Sequence, residues 1–229
     1  MLSLILPIYN EYDNLNKNFD IIYRAARKLG KFEIILAEDG SSDGSPEFIK
    51  SRGRLSGVRI LTSPKRLGRG GAIKNAVSIA RGEVIGYMDI DLAVPIKYLP
   101  RAVRLIEDGE KFVTGSRYIK DSRIDRKFDR LFQSVSYNAI LKLVFNSRVN
   151  DHQCGFKFWS SGFIKRIIPE IKDRHWFFDT ELIIKSEREG IRVYELPVEW
   201  KEQSSTKVRL SDIFYFLKSI IRLKTGAYR

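Results

Sequence analysis

Histidine and cysteine are nearly absent from this chain: 229 residues hold two histidines and one cysteine, Cys154. A lone thiol builds no intramolecular disulfide framework, and it fits a reducing compartment. So few imidazole and thiolate donors also argue against a tetrahedral zinc centre. Long apolar runs are missing too. No stretch reaches the ~20 apolar residues of a membrane span. Met1 leads straight into a strand pattern, without a signal-peptide layout. Acids are in deficit: 28 Asp and Glu against 41 Lys and Arg give a net charge of +13. That balance implies anionic partners, whether nucleotide, nucleic acid or an anionic membrane surface. The excess is uneven. From Lys201 onward seven basic residues face two acidic ones, whereas the first sixty residues hold nine and eight.

What is present is ordinary for a globular protein, 43% hydrophobic and 30% charged. The length suits one large domain, or one domain with an appendage. Leu2 to Leu6, Phe32 to Ala37, Val58 to Thr62 and Val84 to Met88 are short apolar runs that read as buried strands. Between them lie helical patterns. One has its stripe at Leu15, Phe19, Ile22, Ala26 and Leu29 and stops at Gly30. A second opens at Ser45-Pro46, read as an N-cap followed by proline, and a third spans about Ala72 to Arg81. Strand and helix alternating at this spacing predict an α/β fold with right-handed crossovers and a mainly parallel sheet.

In such sheets ligands bind beyond the carboxyl ends of the strands. The loops carrying Asn10-Glu11, Glu38-Asp39, Gly68-Arg69 and the pair Asp89 and Asp91 should therefore converge on one crevice. Carboxylates at a buried strand end are costly without a cation or donors. A divalent ion, Mg²⁺ or Mn²⁺, bridging a bound diphosphate would supply one; turn or helix-cap roles are the plainer alternative. Glu38 and Asp39, as acceptor-only groups, suit ribose hydroxyls or base N–H groups. Acids so placed would repel a nucleic-acid backbone, and no nucleic-acid recognition motif is present.

Further along, a helix runs to about Asp108, and a strand at Phe112–Thr114 leads to Gly115-Ser116-Arg117. A long helix follows over Asp125–Asn146, then a short one over Ser160–Ile168. A helix opening at 175–181 runs to Gly190, before a strand over Ile191–Leu196. The 125–146 helix has an unusually wide apolar arc, and the segment from Ser211 to Lys224 sets Ile213, Phe216, Leu217, Ile220 and Ile221 against Lys218 and Arg222. Each suits core packing, a second copy of the chain as in a homodimer, or an anionic membrane surface. The expected division is residues 1–210 as the main domain and 211–229 as an amphipathic terminal helix.

Pro7-Ile8-Tyr9-Asn10-Glu11, Glu38-Asp39-Gly40-Ser41-Ser42-Asp43-Gly44, Gly68-Arg69-Gly70 and Asp89-Ile90-Asp91 follow in order. After them come Gly115-Ser116-Arg117, Gln153-Cys154-Gly155-Phe156-Lys157, Phe178-Asp179-Thr180-Glu181-Leu182 and Pro197-Val198-Glu199-Trp200. This series resembles the family 2 glycosyltransferases of GT-A fold over about residues 1–210. Within the family it is most similar to the dolichyl-phosphate glucosyltransferases, with the GDP-mannose-using dolichyl-phosphate mannose synthases close by. The resemblance implies that Pro7, Tyr9, Glu11 and Asp39 contact base and ribose, and that Gly68 and Arg69 lie near base and phosphates. By the same resemblance Asp89 and Asp91 bind the metal, Arg117 sits near the phosphates or the acceptor, and Thr206-Lys207 touches the donor diphosphate. The mannose synthases can add a glutamine ligand two residues beyond the second aspartate; Ala93 stands there instead and offers no donor.

The expected reaction moves a hexose, with glucose from UDP-glucose favoured, to a polyprenyl or dolichyl phosphate. A family 2 transferase with a sugar-hydroxyl acceptor is the alternative. A sugar hydroxyl needs a general base, whereas a lipid monophosphate, with its second pKa near ~6, arrives mostly deprotonated. Asp91 and Arg117 then serve the chemistry, with Asp179 as the base if one is required. Arg123, Arg126, Lys207 and Arg209 join Arg117 as candidates for the acceptor phosphate, and Gln153 could close one wall of the site. Direct displacement inverts the anomeric centre. Peripheral attachment to the cytoplasmic leaflet, without a spanning segment, completes the expectation.

Overall fold

The computed structural model describes residues 1–125, 128–201 and 210–227. The first half comprises β1 (Leu2–Ile8), α1 (Tyr12–Lys28), β2 (Phe32–Asp39), α2 (Ser45–Arg52), β3 (Val58–Ser63), α3 (Arg69–Ile79) and β4 (Val84–Met88). After it come α4 (Leu99–Glu107), β5 (Phe112–Ser116), β6 (Arg123–Asp125), α5 (Phe128–Phe145) and β7 (Phe156–Ser160). The chain continues through α6 (Ser161–Ile167), α7 (Phe178–Arg188), β8 (Val193–Pro197), β9 (Glu199–Lys201) and α8 (Leu210–Thr225).

Seven strands form one sheet in the order β3-β2-β1-β4-β7-β5-β8, and β6 with β9 forms a two-stranded ribbon. The strands read as unbroken apolar runs because helices cover both faces. Leu4 and Leu6 of β1 face Phe19 and Ile22 of α1 and join Leu99 and Val103 of α4 in one cluster. Their neighbour Ile5 points the other way, into a cluster with Ile73 and Val77 of α3, Ile164 of α6 and Ile183 of α7. Each of these fully buried side chains contributes about 1.5–3 kcal/mol through the apolar area removed from water. The result is the expected α/β architecture, a sheet between two helical layers.

All pairings but two are parallel. The exceptions involve β7, which runs antiparallel between β4 and β5 in the middle of the sheet. Residues 156–160 were not expected to form a strand, because Lys157 interrupts their aromatic run. Pleating resolves this: Phe156 and Phe158 fill one cluster, Trp159 fills the other, and Lys157 takes up a buried ion pair.

Several boundaries move from their expected places. α3 begins three residues before Ala72, at Arg69, and Asp125 belongs to β6 rather than to α5. Ser45 is not an N-cap. Its hydroxyl accepts the Glu11 N–H (3.0 Å), and Asp43 instead receives the backbone N–H groups of Tyr12 and Ser45, the first residues of α1 and α2. Two helix openings beside the crevice are thus tied to one carboxylate. The inner faces of α5 and α8 meet around Leu141, Ile220 and Leu223, with Phe177 and Ile184 beneath them. No helix among the described residues is long and apolar enough to cross a membrane.

Candidate active site

The carboxyl ends of β1, β2 and β4 open into a cavity of about 310 Å³ lined by Pro7, Tyr9, Glu11, Asp39, Arg66, Arg69, Asp89, Asp91 and Trp176 among others. A topological switch produces it. β2 and β4 leave β1 on opposite sides, so the loops at their ends part and leave a crevice. The walls are stitched by side chains that accept from backbone. Asn10, left-handed at φ 55°, accepts the Ser42 N–H (2.8 Å), and its own N–H donates to Ser41 Oγ (3.0 Å). Asp39 is buried and accepts the N–H groups of Leu67 (2.6 Å) and Gly68 (2.9 Å), which sets the start of α3 against β2.

Gly68 is a glycine whose freedom the geometry demands. Its φ is +90°, and a Cβ would stand 2.3 Å from the His175 ring and 2.4 Å from the Arg174 carbonyl oxygen. Directly after it, Arg69 donates through Nη2 to Asp89 Oδ1 at 2.6 Å. Its guanidinium lies 5.3 Å from the Tyr87 ring centre and 5.4 Å from that of Trp176. Arg69 Nε is buried without a hydrogen-bond partner among the described residues. Opposite, Arg66 lies over the Tyr9 ring at 3.7 Å, a cation–π contact beside the cavity.

Asp89 is held twice, by Arg69 and by its own N–H donating to Gly155 O (3.0 Å). Burial pushes its carboxyl up to about 6; Arg69 opposes that shift, and Asp91 and Asp179 add to it. Glu11 is raised as well, chiefly by burial, against the Asn14 amide bond to its Oε2 and with Asp91 and Asp43 as like-charged neighbours. Among the described residues Asp91 accepts only the Ala93 N–H (2.9 Å). Among the described residues no three His, Cys, Asp or Glu side chains gather as a complete metal cage. The residues present still fit a divalent ion: two adjacent carboxylates supply hard oxygen donors, and like charge already burdens Asp89. Substrate oxygens and water would fill the other positions.

Gly68 abuts Arg174 and His175 rather than the cavity, and four more expected site residues, with the acceptor-phosphate candidate Arg123, also fail to line it. The Glu38 carboxylate accepts the Ser41 N–H and closes a turn, while Gln153 donates its own N–H to Asp151 Oδ1 (3.2 Å). Arg117 is buried in a fork on Asp151, with Nε to Oδ2 at 2.6 Å and Nη2 to Oδ1 at 2.8 Å. Asp179 is buried between Lys157 Nζ (3.3 Å) and the Tyr87 hydroxyl, which donates to its Oδ1. Arg123 lies exposed on β6. Thr206, Lys207, Arg126 and Arg209 lie outside the described residues. Conversely, Arg66 and Trp176 line the cavity without having been singled out. Only their neighbours hinted at them, the Gly68 loop for Arg66 and the acid-rich helix opening for Trp176.

The model of the glycosyl transferase family 2 matches residues 3–168. The glycosyltransferase AglD of Haloferax volcanii is 36% identical over 96% of the chain, which spans 36% of that protein. A dolichyl-phosphate beta-glucosyltransferase of Dictyostelium discoideum is 28% identical over 97% of the chain and is itself covered to 73%. Glucosyl-3-phosphoglycerate synthase from Mycobacterium tuberculosis, solved with Mn²⁺, UDP-glucose and phosphoglyceric acid, superposes with a TM-score of 0.71 at 15% identity. That match covers 100% of this chain and 79% of the other. The crevice with acids at successive strand ends and the family match agree: the chain belongs to glycosyl transferase family 2 and has the GT-A fold.

Proposed function

We propose that this chain moves glucose from UDP-glucose onto a polyprenyl or dolichyl phosphate, inverting the anomeric carbon. The observation carrying this reading is the meeting, in one cavity, of two strand-end carboxylates, two arginines and two aromatic rings. Tyr9 with Arg66 offers a flat cationic platform for a base, and Asp39 keeps the adjoining loop in place. Arg69, on the cavity wall, stabilises the charge that gathers on the diphosphate as the sugar leaves. Asp89 and Asp91 would hold the divalent ion, which supplies further neutralisation of the leaving diphosphate. The relatives named as dolichyl-phosphate beta-glucosyltransferases support the choice of sugar and acceptor.

A lipid phosphate needs no base to ionise it near neutral pH. This agrees with the seclusion of Asp179, whose carboxylate is occupied by Lys157 and Tyr87. Asp179 therefore supports the floor of the site rather than taking a proton. The acceptor would arrive from a membrane. α5 exposes Leu143 at 87%, and α8 exposes Phe214 at 71% and Ile221 at 61%, with Lys142, Lys218 and Arg222 exposed alongside. Basic side chains flanking exposed apolar ones suit peripheral attachment to an anionic leaflet.

The test is transfer of label from UDP-glucose, with Mg²⁺ or Mn²⁺, in vesicles containing polyprenyl phosphate beside a soluble glycan acceptor. The expected outcome is label in the lipid phase as a β-linked product. An α-linked product, or label only on the glycan, contradicts the proposal.

A further inference from the structure

α8 lies outside the alternation of strands and helices, yet one of its side chains reaches a wall of the cavity. The Tyr215 hydroxyl donates to Asp173 Oδ2 and accepts the Phe177 backbone N–H at 3.4 Å. Asp173 is only 7% exposed, and its Oδ1 accepts the His175 N–H (2.8 Å). The near end of this turn is held by Glu181, whose fully buried carboxylate accepts the N–H groups of Lys172 and Asp173. Its far end depends on Tyr215, which comes from a different part of the chain.

This same turn is what α3 opens against. Gly71 donates its N–H to Arg174 O (2.9 Å), and Gly68 approaches Arg174 and His175 so closely that no Cβ fits between them. Trp176 leans over the Arg69 guanidinium at 5.4 Å and lines the cavity. A hydroxyl on α8 thus orients Asp173; Asp173 shapes the turn; and the turn places Trp176 and Arg69.

We infer that Tyr215 is a positioning residue for the nucleotide pocket, which makes α8 a working part of the site rather than an appendage. The inference rests on reading the cavity as a nucleotide-sugar site. Tyr215 touches no reacting atom. Losing its hydroxyl leaves a buried carboxylate short of one donor and lets the turn relax, so substrate binding suffers and the chemical step does not.

The experiment titrates the full chain with UDP in the presence of Mn²⁺, following tryptophan fluorescence, with Trp176→Phe identifying the responding indole. Tyr215→Phe is expected to weaken UDP binding about tenfold, the equivalent of one hydrogen bond to a charged group. KM for UDP-glucose should rise in step, with kcat retained. Unchanged UDP affinity in Tyr215→Phe, or a loss confined to kcat, overturns the inference while leaving the nucleotide reading intact. Should that variant not fold, Asp173→Asn is read the same way. If the wild type shows no saturable response to UDP, the nucleotide reading falls and the inference falls with it.

Discussion

Asp89 and Asp91 stand one residue apart, but their surroundings assign them different work. Asp89 is bound to Arg69 and wedged beside Gly155, where a Cβ would lie 1.8 Å from its Oδ2; the Asp91 carboxylate, among the described residues, accepts one backbone N–H. Asp91→Ala should therefore leave the fold intact and lower kcat/KM by at least about a hundredfold, the scale of one lost electrostatic stabiliser; near wild-type turnover rules out its role. Away from the site, His152 is fully buried, with its ring nitrogens bonded to Asn138 Oδ1 (2.8 Å) and Ser147 Oγ (2.9 Å), and burial lowers its pKa to about 3. The sign follows from which state binds the proton. The unfolded chain takes it up near pH ~6.5 and the folded one does not, so this histidine stabilises fully above that value. By pH 5 it should have withdrawn about 2 kcal/mol. Raised carboxyls at Asp89 and Glu11 act in the opposite direction, so the clean comparison is urea unfolding of wild type against His152→Gln at pH 7 and pH 5. A larger loss in wild type is expected, and equal losses contradict the account. That Tyr9, Glu11, Asp89 and Asp91 share one cavity was legible because each sits just past a strand end, and Arg69 because it opens α3 after the Gly68 loop. The burial of Arg117 and Asp179 was not legible, because the partners that occupy them, Asp151 and Lys157, lie 34 and 22 positions away in the sequence.

Strands β1, β2 and β4 follow the apolar runs closely; β3 forms where expected but, at the sheet edge, buries only Val58 and leaves Ile60 exposed, so it is not the buried strand its composition suggested. Within the seven-stranded sheet β7 is the strand that periodicity missed, and its centre is the reason. Lys157 is fully buried, donating to the carbonyls of His152 (3.2 Å) and Cys154 (2.6 Å) while pairing with Asp179. A lysine inside a sheet is invisible to a rule that looks for apolar alternation. It also carries a measurable cost when removed. Lys157→Met leaves Asp179 buried without its cation, and a destabilisation of about 3–5 kcal/mol is expected in urea unfolding. A loss below about 1 kcal/mol, the scale of an exposed pair, would mean the pair is solvated. The α8 pattern was legible only in part: Ile220 packs inward as expected, whereas Leu217 and Ile221, placed on the same face by the sequence, are exposed.

At the scale of the whole molecule, the charge of +13 and the exposed apolar side chains of α5 and α8 are what the proposed attachment to an anionic surface would use. Leu217→Glu combined with Ile221→Glu should strongly reduce co-sedimentation with vesicles containing anionic lipid, without lowering UDP affinity, and high salt should release part of the bound wild type. Equal sedimentation of wild type and variant would place the contact elsewhere. The central claim is narrower: the strand-end acids and Arg69 surround a nucleotide diphosphate with its cation. A crystal structure of the chain with UDP and Mn²⁺ tests this most directly. The account requires the base beside Tyr9 and Arg66, the diphosphate within reach of Arg69, and manganese between Asp89 and Asp91. Nucleotide bound at another surface, with that crevice empty, would contradict it.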